Sequence, residues 1–291
     1  MALASDTNAT ELTAEQVATV LVEPLAQKSV FLSAGPKIID TAGPLRLPLG
    51  AAPTTPEWYG QNEQIVDEDP TFDELSLLPS TMKSVKVLTR FSNELARQSV
   101  IALDAALRAR LVTDVANVID AQLLSASGDG ITKPKGLFAY AGTQSVAVGG
   151  ALSLDALIYA EGLALGAGVN PDGLAWVMRP REFTQLRLAK DTTDRYQLQP
   201  DPSRAGSFTL LGHRVILSNR VPDTTGATPT ARAGLVDFSQ IAVARDVAPS
   251  VKILDQTFGD FDQQAIRVVA RYDAGPLDPK GIVALNGITI A

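Results

Sequence analysis

An α+β fold follows from three features of the sequence: strand-like alternation between residues 38 and 91, one unbroken helical repeat from 92 to 126, and short helices mixed with strands thereafter. Ribbon, long helix, short helices among strands and then strands is not the order of a doubly wound βαβ repeat. The 291 residues, 45% hydrophobic and 20% charged, suffice for one large domain or two ordinary ones and are too apolar for disorder to dominate.

The first element expected is a helix over residues 13–28. Thr13 can cap it, Gln16 completes a capping box, and Leu12 with Val17 forms a hydrophobic staple. Val17, Val20, Leu21 and Leu25 share one face, and Pro24 should kink or end the helix. Strand signals follow. Leu45, Leu47 and Leu49 alternate with Arg46 and Pro48; Val85, Val87 and Thr89 alternate with Ser84, Lys86 and Leu88. Between them lies an acidic run over residues 63–74. A two-stranded ribbon with so little apolar area is marginal alone, so it should be ordered by another subunit or by the body of the protein.

Residues 92–126 carry the strongest signal. Leu95, Leu103, Leu107, Leu111, Val115, Ile119 and Leu123 recur every four residues, with Ser92 as cap and the pairs Asp104–Arg108 and Arg110–Asp114 at i,i+4. At 1.5 Å per residue this is a rod of roughly 50 Å. Gly128, Gly130 and Pro134 stop it. A second helix is expected over 153–165 with Leu154, Leu157, Ile158 and Leu165 inward, then an Asn170-Pro171-Asp172-Gly173 turn, a buried strand over 174–178 and a third helix opened by Pro180. Residues 190–207 read as a mobile polar loop. Strands are expected at 215–217, 235–238, 241–244, 251–254, 264–271 and 282–285.

Composition excludes much chemistry. The chain has no cysteine and one histidine, which removes disulfides, thiolate catalysis and zinc cages. No cofactor is expected. The net charge of −7 argues against attraction of the whole chain to phosphate or anionic lipid. No secretory signal and no membrane span is legible, so the protein is expected to stay where it is made unless carried inside an assembly. His213 lies in a turn entering a strand, with no Gly-x-Ser-x-Gly elbow anywhere, and reads as a turn or surface histidine. Gly162, Gly166 and Gly168 follow a helix rather than a strand, so they mark a helix end and not a dinucleotide fingerprint. Glu63, Asp67, Glu68, Asp69, Asp73 and Glu74 lack the spacing of a calcium loop; such a run is a solvated face or a partner for arginines of a neighbour, with Arg90, Arg97, Arg108, Arg110 and Arg187 as candidates.

Several motifs occur in a telling order. Glu57-Trp58-Tyr59-Gly60 and Glu63 precede Phe72 and Leu77-Leu78-Pro79 and then a strand into Ser92; Gly128-Asp129-Gly130 and Lys133-Pro134-Lys135-Gly136-Leu137 follow the long helix. Ala175-Trp176-Val177-Met178-Arg179-Pro180, Leu210-Leu211-Gly212-His213-Arg214-Val215, Gly234-Leu235-Val236-Asp237-Phe238 and the strand from Arg267 to Asp273 complete the series. In this order they resemble the major capsid proteins of tailed bacteriophages with the HK97-type fold, over nearly the whole chain. One departure is Val236-Asp237, where the family has Gly-Asp before the Phe.

The resemblance implies an N-terminal arm (1–40), an extended β-ribbon or E-loop (41–91), a peripheral domain with a spine helix (92–135), an axial domain (136–240) and a return to the peripheral domain with the last strands (241–291). It implies a non-enzymatic subunit that self-assembles as pentamers and hexamers into an icosahedral head, formed in the host cytoplasm and enclosing double-stranded DNA without sequence-specific contact. Portal, a separate scaffolding protein and a decoration protein are the implied further partners, and no membrane is involved. Trp58, Glu63, Asp67, Glu68, Asp69, Lys83, Lys86, Arg90 and Arg97 are then candidates for contacts between subunits. Some members join an E-loop lysine to a neighbour's asparagine through an isopeptide bond; Lys83, Lys86 and Asn286 would be the residues here, although the matched motifs do not extend to that chemistry. An encapsulin-type nanocompartment shell shares the fold but encloses a protein cargo, and the ribbon and arm favour the phage subunit over it. A carboxylate-based hydrolase is the reading from a different class; it requires a deep pocket lined by opposed acids.

Overall fold

The computed structural model describes residues 29–49, 58–62, 64, 73–78, 84–94, 103–190, 193–198, 208–225, 228–258 and 261–290. The helix expected over 13–28 lies outside them. In chain order the elements are α1 (Val30–Ser33), β1 (Lys37–Asp40), β2 (Leu45–Leu49), β3 (Asp73–Leu77), β4 (Val85–Ser92), α2 (Leu103–Leu123), β5 (Gln144–Ala147), α3 (Leu154–Gly166), β6 (Leu174–Met178), α4 (Pro180–Leu188), β7 (Thr209–Leu210), β8 (His213–Leu217), β9 (Thr230–Asp237), β10 (Ile241–Phe258), β11 (Gln263–Pro276) and β12 (Ile282–Thr289). They form a four-stranded sheet ordered β1-β10-β11-β4, a six-stranded sheet ordered β5-β12-β9-β6-β8-β7, and the pair β2-β3.

The six-stranded sheet is covered on both faces, which is why β6 is buried at every residue instead of alternating. Ala175 and Val177 join one core with Val236, Ile282 and Ala284; Leu174, Trp176 and Met178 join the other with Leu235, Val283 and Leu285. The first core is closed by α2 through Leu111, Val115, Ile119 and Leu123, whose four-residue spacing puts them on one face, and by Val243, Ile266 and Ala270 of the four-stranded sheet. The second core is closed by Leu157, Ala160 and Ala164 of α3 and by Phe183 and Leu186 of α4. The buried Trp176 indole donates to the Leu210 carbonyl at 3.0 Å, so its one polar atom is satisfied.

The long helix is described over 21 residues, about 31 Å, as the C-terminal part of the rod expected from the sequence. Ser92 Oγ accepts the Glu94 amide at 3.1 Å, as its capping role requires, and Arg110 pairs with Asp114 at 3.1 Å. The Asp104–Arg108 pair lies outside the described side chains. Past α2 the chain folds back sharply. Gln122 Nε2 donates to the Ser127 and Pro134 carbonyls, and Gly128 has φ +120° with the position of a Cβ only 2.2 Å from the Pro134 oxygen, so no side chain fits there. Asp129 Oδ1 then accepts the Ile131, Thr132 and Lys133 amides. Those hydrogen bonds hold its carboxyl far below the usual carboxylate range.

Four expectations change. First, the two alternating segments do not pair with each other: β2 pairs with β3, and β4 pairs with β11. On β11, β4 places Phe91, Val85 and Val87 against the first core, burial that β2 could not provide. Second, the segments at 241–244 and 251–254 are one 18-residue strand, β10, whose register shifts between Arg245 and Val247 and again between Val247 and Ser250; Pro249 sits in the second irregularity, where no ladder hydrogen bond is asked of it. Third, α3 does not turn Ile158 and Leu165 inward. Its buried face is Leu157, Ala160 and Ala164, whose small side chains let the helix lie close to the sheet. Fourth, His213 is buried rather than a surface histidine: its Nε2 lies 3.2 Å from Glu161 Oε1 of α3. Of the loop at 190–207, the described part closes on itself just past α4 through a Lys190–Tyr196 bridge. Of residues 241–291, β10 and β11 lie in the four-stranded sheet, while β12 lies between β5 and β9 in the six-stranded one.

Candidate assembly interface

The ribbon is anchored to its own body at its base. Leu75, Leu77 and Leu78 bury against Ala242 and Ala244 of β10, with Leu45, Leu47 and Leu49 of β2 packed on them. The left-handed backbone at Leu78 turns its amide onto Asp273 Oδ2 at 3.0 Å, and Tyr140 Oη donates to the Ala274 carbonyl beside it. Burial, with the Asp273 charge nearby, pushes the Tyr140 phenol up, so it stays a donor. Within the ribbon, Glu74 of the acidic run pairs with Arg46 at 3.7 Å; both are exposed, so the pair is weak.

The chain emerges at Ser29 from a second clasp. Asp120 of α2, almost fully buried, accepts from the Ser29 hydroxyl at 2.5 Å and from the Val30 amide at 2.8 Å, thereby holding the N-terminal end of α1. Burial raises its pKa, and these hydrogen bonds work the other way. Phe31 beside it packs edge-on against Phe238 at 5.8 Å, and Arg214 donates to the Ala34 carbonyl. The signal available in the sequence was an acid set directly among apolar neighbours, Val118-Ile119-Asp120-Ala121, beside the stripe of Leu111, Val115, Ile119 and Leu123.

Of the contact candidates, Trp58 is fully exposed, and Lys86 and Arg90 project from one face of β4 with the exposed Leu88 between them. Among the described residues β4 is an edge strand of the four-stranded sheet. Glu63, Asp67, Glu68, Asp69, Lys83 and Arg97 lie outside the described residues. Asn286 is not brought near β4. It lies opposite Ala147 in the other sheet, and its Oδ1 accepts from Arg232 Nε at 2.7 Å.

A cavity of about 520 Å³ opens between the end of α2, the start of β4 and residues 127–134. Val118, Ile119, Gln122, Lys133, Pro134 and Tyr272 are among its walls, and no carboxylate lines it, so it cannot hold the opposed acids of a hydrolase. Among the described residues no group of three or more His, Asp or Glu is placed to hold a metal ion, and no helix is long and apolar enough to cross a membrane.

Comparison with known proteins places this architecture. No curated protein matches the chain. Solved structures do: the capsid of an empty GTA particle computed with C5 symmetry superposes with a TM-score of 0.72 at 19% identity, covering 90% of this chain and 91% of that one. The capsid of the native GTA particle gives 0.74 at 17% identity, covering 98% and 100%. A structure from Mycobacterium phage Bobi gives 0.70 at 16% identity, covering 94% and 98%. The fold is therefore the HK97-type fold of these capsids. A model of the phage capsid family matches residues 10–287, which takes in the ribbon, α2 and both sheets; the chain belongs to that family and is a structural subunit of a capsid shell.

Proposed function

We propose that this chain is the repeating subunit of an icosahedral phage head, arranged in rings of five and six around double-stranded DNA. The observation that carries the reading is the extent of the family match, which runs through every element instead of one piece. The C5 symmetry of the GTA capsid supports rings of five. A net charge of −7 supports DNA held by confinement instead of by a basic lining. In this reading residues 1–40 are the arm and 41–91 the ribbon, with β1 and β4 at their ends paired into the four-stranded sheet; α2 with β10 and β11 is the peripheral domain, and the six-stranded sheet with α3 and α4 is the axial domain, which takes β12 as well. Its role is structural rather than enzymatic. Portal, separate scaffolding and decoration proteins are its further partners, and assembly takes place in the host cytoplasm.

Negative-stain imaging of the expressed protein tests this directly. Rings of capsomer size or closed shells are the expected result; solitary subunits at every concentration would count against it. Shells holding long double-stranded DNA fit a head, whereas copurifying protein cargo would point to a nanocompartment. Boiled and reduced particles should run as a single band at the 30.7 kDa monomer mass, because the motifs that match the family do not extend to the cross-linking chemistry, and Asn286 lies in the six-stranded sheet beside Arg232 of its own subunit. A ladder of multimers would reverse that expectation.

A further inference from the structure

Residues 286 and 287 interrupt the pairing of β12 with β9. Leu285 stands opposite Ala233 and Ile288 opposite Ala231, so two residues of β12 face the single Arg232. The extra residue lets Leu285 and Ile288, three positions apart, both bury in the second core with Ala231 and Ala233. Gly287 carries the bulge with φ +74°, a backbone that glycine adopts without strain. Asn286 and Gly287 are only half-buried, whereas Leu285 and Ile288 on either side of them are completely buried.

Asn286 is the one asparagine of the chain that is followed by glycine. Asparagine is a chemically labile residue, and with glycine next in the chain no side chain shields the following amide nitrogen from its Cγ. The side-chain carbonyl is also engaged, since Arg232 Nε donates to Asn286 Oδ1 at 2.7 Å. Arginine has no acceptor, so this contact fixes which end of the amide faces it. The hydrogen bond draws electron density from Cγ and is placed to stabilise negative charge developing on Oδ1. Arg232 itself lacks a counter-charge. Among the described residues no carboxylate pairs with it, and burial lowers its pKa with no nearby acid to offset the effect.

We propose that Asn286 is a site of spontaneous deamidation, and that the carboxylate so formed supplies Arg232 with the counter-charge it lacks. The Gly287 amide nitrogen bonds to Asn286 Cγ, the Cγ–Nδ2 bond breaks, and the Gly287 amide proton leaves with Nδ2 as ammonia. Water then opens the resulting cyclic imide to aspartate or isoaspartate. No oxidant or other reactant is needed. Both products carry a carboxylate where the amide stood; aspartate also keeps the length of the backbone, and with it the pairing of this position with Ala147 of β5. Its two oxygens offer the guanidinium a charged acceptor in place of a neutral one. Because the pair is half-buried, solvent screens it less than a pair on the surface. The subunit therefore gains stability as it ages. The inference concerns the single chain and is independent of the assembly reading.

Peptide mapping by mass spectrometry tests the site, on the full chain freshly purified and again after incubation in mildly alkaline buffer. The expected result is conversion of amide to acid at Asn286 ahead of every other asparagine, slowed several-fold by Gly287→Ala. An Asn286 that keeps its amide, or converts only after other asparagines, would overturn the site. The pairing is read on Asn286→Asp. Its denaturant midpoint at neutral pH should shift above that of the freshly purified chain, and the shift should vanish when the same change is made in an Arg232→Gln background. A midpoint no higher than that of the fresh chain, or a gain that survives Arg232→Gln, would overturn the role given to Arg232.

Discussion

Two aspartates show how the same side chain answers to opposite physics. Asp40 is exposed and grips Arg245 through both oxygens, at 2.6 and 2.8 Å, across the β1–β10 pair. The hydrogen bond to Arg245 lowers its pKa, so the folded state binds its proton less readily than the unfolded chain does. Its stabilisation is fully present above the ordinary value of about 3.9 and is lost as pH falls through the lower folded value. Hydrogen exchange in residues 37–40 should therefore accelerate only in strong acid, and Asp40→Asn should remove that acid-dependent step. Asp120 has the reverse sign. Burial raises its pKa, so taken alone it makes the fold more stable as pH falls through its folded value towards about 3.9, below which the effect levels off. Replacing it is a different matter, because Asp120→Ala strands the Ser29 hydroxyl and the Val30 amide. The expected cost is about 1–3 kcal/mol in chemical denaturation. The loss should be concentrated in exchange protection at residues 29–34, and unchanged protection there would mean that Phe31 packing alone holds α1.

At the scale of elements, the base of the ribbon is where packing decides. Leu77 is almost completely buried against Ala242 and Ala244, in a small cluster separate from the two large cores. Leu77→Ala should cost about 2–3 kcal/mol and should free residues 73–78 for exchange while α2 and the six-stranded sheet stay protected; uniform loss of protection would show that the cluster is not an independent unit. The sequence made this alternation of leucines plain but not its partner. Period-2 spacing says which residues share a face and is silent about which strand lies alongside, and β4 found more burial on β11 than β2 could offer. The same limit explains α3. Apart from Asp155 and Glu161 it is apolar all round, so periodicity could not choose between the Ala160–Ala164 face and the Ile158–Leu165 face, and the first won because alanines permit close approach to the sheet. The strands expected at 241–244 and 251–254 are one strand that the structure carries through on two register shifts. By contrast α2, β6 and Pro180 at the head of α4 were legible because each carries its own signal: a four-residue apolar repeat, a short apolar run and a fixed φ. The clasps made by Asp120 and Asp273 join residues about 90 and 195 positions apart, and no local pattern encodes such pairs.

For the whole molecule, the two large cores share the six-stranded sheet, so α2 on one face and α3 with α4 on the other are joined through a single layer. Around that layer the described residues leave apolar side chains exposed at separate places: Leu88 on β4, Ile158 and Tyr159 on α3, and Leu188 at the end of α4. Many modest contacts of this kind can hold a shell strongly, since each closed ring makes the next contact effectively intramolecular. They do not by themselves choose its size. In the proposed head the same chain enters rings of five and rings of six, and the angle between neighbours must differ between the two. Individually modest contacts would tolerate that change, and the prediction that follows rests on the subunit alone having no strong preference for one curvature. The expected outcome is that the purified chain forms rings and shells of mixed diameter, and that uniform shells require a second, scaffolding protein. Electron micrographs with and without that protein give the answer. Shells of one diameter from the chain alone would mean that its own interfaces fix the angle without a second protein.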